Sequence, residues 1–144
     1  MVTENKPMFP EVDRGTLATV AAIIAAFGVP MLYFRIQREL EMRKNEETIW
    51  LPAADWLLVG ATLVSLLLVI VPLVTLREVR LPAAASGAAA IMVAGYIPAI
   101  LGHYRIVFGQ TRSGPRNNPE PTELFFVVIA LVTALCLFVL RLAF

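Results

Sequence analysis

Charge is scarce in this chain. Asp, Glu, Lys and Arg make up 16% of its 144 residues, against 58% hydrophobic residues. Soluble domains carry about 25% charged residues, so the deficit points to a nonaqueous environment. One cysteine, Cys136, excludes an intrachain disulfide framework and a dithiol redox motif, and at mid-run it is expected to act as a small apolar residue. One histidine, His103, with no cysteine nearby, leaves no zinc-ligand spacing. It also leaves no pair of axial histidines for haem. A net charge of +1 and the lack of a basic stripe with interleaved aromatics speak against nucleic acid as a partner. No cofactor or metal is expected.

What the chain does have is four long apolar runs. Gly15–Phe34 is free of charge over 20 residues and Trp56–Leu76 over 21; Leu81–Tyr104 runs for 24 and Leu124–Leu140 for 17 before Arg141. A bilayer core of ~30 Å needs roughly 20 apolar residues in a helix. The runs show no alternation, and backbone polar groups in lipid must be satisfied within the segment, so helices are expected and strands are not. The expected fold is all-α: a single membrane domain over residues 1–144, a four-transmembrane-helix bundle with spans near 15–34, 56–76, 81–104 and 124–140. Residues 35–55 read as a charged helical extension and loop, and 105–122 as an irregular Gly/Pro/Asn-rich loop. Pro30, Pro72 and Pro98 each fall inside a run, where the missing donor and the ring's bulk predict kinks.

Residues 1–14 mix Lys6 and Arg14 with Glu4, Glu11 and Asp13, and the run after them exceeds a signal-peptide core, so the first span is expected to be retained. The 1–2 and 3–4 connections share one side and hold seven basic residues: Arg35, Arg38, Arg43, Lys44, Arg105, Arg112 and Arg116. The other side holds five. Basic residues accumulate on the cytoplasmic side, so the expected location is a prokaryotic plasma membrane with both termini outside. The lipid bilayer is the expected partner, with a homo-oligomer or a larger membrane complex beside it.

The third run opens LPAAASGAAA. Ala84, Ala88, Gly95, Ala99 and Gly102 recur at steps of four, seven, four and three, which lines them along one helical face. Small residues let helices approach closely in lipid, so this span reads either as the centre of the bundle or as a self-association surface. In the fourth run Phe125, Phe126 and Phe138 are expected to face lipid or a neighbouring subunit. Thr122 is the expected cap of that helix. No acidic residue sits in the middle of any run, which argues against a proton-coupled transporter or a pore with a ring of charge.

Because successive spans alternate in direction, the polar residues at one set of ends share a rim: Arg35 and Arg38, Asp55, His103, Tyr104 and Arg105, and Glu123. Such a rim either binds an anionic ligand, with His103 as a proton-transfer group, or anchors the span ends, with Asp55 and Glu123 paired to nearby arginines. Gly109 and Gly114 have the spacing of a phosphate loop, but Pro115 and Arg116 replace its Lys-Ser/Thr ending, which excludes that motif.

The stretch RIQRELEMRKNEET, residues 35–48, balances four bases against four acids. Its i,i+3 and i,i+4 pairs, each contributing ~0.2–0.5 kcal/mol, favour a helix running on out of the membrane. Ile36 and Leu40 are expected to give that extension an apolar edge toward the bundle. Pro52 suits a helix start.

The expected role is that of a noncatalytic bundle that associates with itself or supports a larger membrane assembly. A second expectation comes from RKNEETIWLP, residues 43–52, which resembles the basic residue, Asn-x-x-Glu and proline pattern of the MAPEG family of glutathione-dependent membrane enzymes. Here Glu46 and Glu47 follow Asn45 by one and two residues, and Thr48 takes the third place. The resemblance implies four spans, a trimer and an anionic ligand held near Asn45, Glu47 and Arg105 while a lipophilic substrate reacts.

Overall fold

The computed structural model describes residues 12–42, 52–76, 78–104 and 120–144. Helix accounts for 92% of these, with no strand among them. Four helices follow one another: α1 Arg14–Met42, α2 Ala53–Thr75, α3 Arg80–His103 and α4 Pro121–Ala143. All four are long and apolar enough to cross a membrane. At 1.5 Å per residue even a 23-residue helix spans about 35 Å, beyond the ~30 Å of a hydrocarbon core.

The helix starts at α1, α2 and α4 follow from the residues just before them or at their first position. The Asp13 carboxylate accepts the backbone N–H of Gly15 at 2.7 Å and of Thr16 at 3.1 Å, capping α1. Pro52 precedes α2 and its carbonyl accepts the Asp55 N–H at 3.0 Å. α4 begins at Pro121, with Glu120 rather than the expected Thr122 in the capping position. The fixed φ of proline suits the first helical residue, which places Thr122 inside the helix.

Residues Ser65–Ile70 of α2 form a wider π turn, closed by the Val71 N–H on Leu66 O. Pro72 follows directly and has no N–H to offer the α ladder, so the widened turn lies where that ladder loses a donor. Pro30 and Pro98 lie inside α1 and α3.

α3 packs against both α2 and α4, and α1 lies across α2 and α3. The small residues of α3 make this possible. Ala84, Ala88, Ala99 and Gly102 are buried, and a Cβ on Gly95 would collide with the Cβ of Ala130 on α4. Much of the small-residue face is thus packed within the bundle, against α2 and α4. Around it Leu57, Leu58, Tyr96 and Val127 form a core at one end, and Leu17, Ala21, Val69 and Ala85 one toward the other.

The outer faces are apolar, with Ile23, Phe27, Leu67, Ile97, Val132 and Leu135 all exposed. Two expectations need correction. Phe125 does face outward, but Phe126 and Phe138 pack against the two cores just described, because the buried face of α4 is the Glu123–Val127–Ala130–Ala134 stripe and they flank it. Ile36 and Leu40 are exposed, since the inward face of α1 is set by Leu17, Ala21, Ile24 and Arg35. Cys136 is exposed on the outer face.

Candidate functional site

Two carboxylates, a guanidinium and an imidazole meet at the rim formed by the end of α1, the start of α2, the end of α3 and the start of α4. Asp55 and Glu123 are each the third residue of their helices. The positive end of a helix dipole stabilises a carboxylate there. His103 is the last residue of α3. Both carboxylate residues are fully buried, at 0% exposure, and Arg35 is 3% exposed.

Arg35 Nε donates to Asp55 Oδ2 at 3.0 Å and Arg35 Nη1 to the Tyr104 hydroxyl at 2.8 Å. On the opposite flank His103 Nδ1 and Glu123 Oε2 share a hydrogen bond of 2.7 Å. The second Glu123 oxygen accepts the backbone N–H of Ala54 at 2.9 Å. Gly102 explains how α4 comes so near: a Cβ there would lie 3.1 Å from the Glu123 backbone nitrogen and 3.2 Å from the Thr122 carbonyl carbon. The last turn of α3 and the first of α4 thus meet almost backbone to backbone.

Tyr104 is shared by two guanidinium groups. Arg35 lies 5.9 Å and the exposed Arg38 5.6 Å from its ring centroid, within cation–π range. The His103 ring meets that of Tyr104 edge-on at 4.9 Å.

The sequence-expected residues Arg35, Asp55, His103, Tyr104 and Glu123 are thus joined, with Arg38 at the mouth. Asn45, Glu47 and Arg105 lie outside the described residues. The anchoring alternative expected Glu123 to pair with an arginine; its partner is His103, at the end of the α3 turn that meets α4 at Gly102. One member escaped the sequence reading. Tyr96, buried at 2% exposure, shares a core cluster with Ala54, the residue before Asp55. Its signal was the spacing Tyr96–Ala99–His103, which puts it on the histidine's own helical face.

No group of three or more His, Cys, Asp or Glu side chains suited to a metal occurs among the described residues. Chemically the site can hold charge away from solvent and exchange a proton between imidazole and carboxylate. No protein-family model matches the chain, and comparisons with curated proteins and with solved structures return no match.

Proposed function

We propose that this protein is an integral membrane four-helix bundle with a noncatalytic role, associating with itself or bracing a larger membrane complex. One observation carries the reading. The charged groups at the rim are turned on one another, so that Arg35–Asp55 ties α1 to α2, and Glu123 ties α4 to both α3 and α2. Ties of this kind fix the relative placement of the helices. The apolar outer faces of α1 and α4 are then what the bundle offers to lipid or to a partner. In the proposed arrangement the kinks fall at Pro30, Pro72 and Pro98, the termini are outside and the paired rim faces the cytoplasm of a prokaryote.

The test is extraction from native membranes in a gentle detergent, followed by intact-complex mass measurement. A homo-oligomer or a stable foreign partner is expected; a lone monomer across detergents and lipid nanodiscs overturns the reading.

A second reading, a MAPEG-like enzyme with glutathione or another anionic ligand at the rim, is favoured by the exposed Arg38 guanidinium above Tyr104, with Arg35 behind it. Glutathione-dependent turnover of a lipophilic electrophile decides for it, and lack of both turnover and glutathione binding decides against it.

A further inference from the structure

Three buried polar atoms at the rim have no hydrogen-bond partner within the protein: Arg35 Nη2, Asp55 Oδ1 and the Tyr96 hydroxyl. They belong to one spot. Arg35 and Asp55 are already joined through Nε and Oδ2 at 3.0 Å, and Tyr96 shares a core cluster with Ala54, the residue before Asp55. Buried polar groups in folded proteins are almost always satisfied, and leaving one unpaired costs about 1–3 kcal/mol. Three together, on side chains more than nine-tenths buried, describe a built site.

We propose that Arg35, Asp55 and Tyr96 bind one small neutral oxygen ligand of the hydroxyl type, which accepts from Arg35 Nη2 and donates to Asp55 Oδ1. The Tyr96 hydroxyl completes the set as donor or acceptor.

The charges select this class. The enclosed rim holds Asp55 and Glu123 against Arg35, with His103 shared by Glu123. Even with His103 protonated the four only balance, so an anion gains nothing by entering. A cation would meet the unpaired Arg35 Nη2–H groups. A neutral oxygen with one hydrogen to give and lone pairs to receive meets all three unpaired atoms at once.

The direct alternative is bidentate pairing. Nη2 lies on the same edge of the guanidinium as Nε, so a turned Asp55 carboxylate would engage both nitrogens and close the site. The geometry stops short of it, with Oδ1 and Nη2 both left over.

The same chemistry comes from water or from the hydroxyl of a lipid headgroup, since the rim lies at the ends of the spans. An experimental structure of the whole protein in lipid, at a resolution that shows ordered water, tests the proposal. The expected result is oxygen density within hydrogen-bonding distance of all three atoms. An isolated feature that survives delipidation assigns water. A feature continuous with a longer molecule and lost on delipidation assigns a headgroup hydroxyl. A bidentate Arg35–Asp55 pair with Tyr96 bonded directly to Asp55 overturns it. In arginine-labelled protein in nanodiscs, the Arg35 Nη2 protons should show cross-relaxation to the ligand's hydroxyl protons, lost in Tyr96→Phe. An unchanged cross-peak in a folded Tyr96→Phe removes Tyr96 from the site, and no cross-peak in the wild type overturns the proposal.

Discussion

Glu123 accepts the backbone N–H of Ala54 at 2.9 Å, so a side chain of α4 caps the first turn of α2. The position needs an outside acceptor because Pro52, the residue before α2, has no side chain able to cap. Glu123→Ala leaves both the Ala54 N–H and His103 without this partner, at about 1–3 kcal/mol for each buried group so exposed to loss. Glu123→Gln keeps a carbonyl oxygen for Ala54. The expected order of thermal stability in detergent is wild type, then Gln, then Ala. Equal midpoints for Ala and Gln would show that the cap contributes nothing.

Arg35→Ala strands the Asp55 carboxylate, which is fully buried. Removing one member of a buried pair costs about 3–5 kcal/mol, whereas replacing both by apolar residues of similar volume is often close to neutral. Arg35→Met combined with Asp55→Leu should therefore melt above Arg35→Ala alone. A double variant less stable than Arg35→Ala would mean the pair contributes more than charge compensation.

Gly95 on α3 meets Ala130 on α4, and Gly95→Ala brings two methyl groups into collision. Overpacking of this kind costs about 1–3 kcal/mol. Adding Ala130→Gly makes room for the new methyl, so the double variant should recover much of the loss. The check is a double-variant cycle of unfolding midpoints, and additive losses would place the strain elsewhere.

At the opposite end, Asp13 caps α1 from outside the span. Its hydrogen bonds to the Thr16 side chain and to the Thr16 and Gly15 backbone hold its carboxyl below the ordinary value of 3.8. A depressed value in the folded state means the stabilisation is fully present above pH 3.8 and is lost as pH falls through the lower folded value. Asp13→Ala should melt earlier than wild type at neutral pH, with the gap narrowing in acid. Asp13→Asn, an uncharged cap, should show a weaker pH dependence than wild type. A gap that stays constant down to pH 3 would exclude carboxylate capping.

The helix count was legible because uncharged runs of membrane length leave few alternatives. The shared rim was legible too, since alternating helix direction alone groups Arg35, Asp55, His103 and Glu123. Pairing was not. Arg35 stands at the head of a charged, solvent-like stretch, and nothing local says that it turns inward while Ile36 and Leu40 face out. That depends on where the start of α2 places the Asp55 carboxylate. Tyr96 was hidden for a related reason: one tyrosine in an apolar run looks like packing until the fold sets it beside Ala54 at the start of α2. The small residues of α3 predicted close approach, but only the contact of Gly95 with Ala130 and of Gly102 with the first turn of α4 says which helix fills the space.

The link from Glu123 to Ala54 spans 69 positions of sequence. During synthesis the N-terminus of α2 is made long before the residue that caps it. The first turn of α2, and with it the Asp55 partner of Arg35, therefore acquires its final setting only when the last helix arrives. A chain stopped before α4 should carry the first three helices with this end of the bundle unlatched, which makes the fourth helix the closing step of assembly.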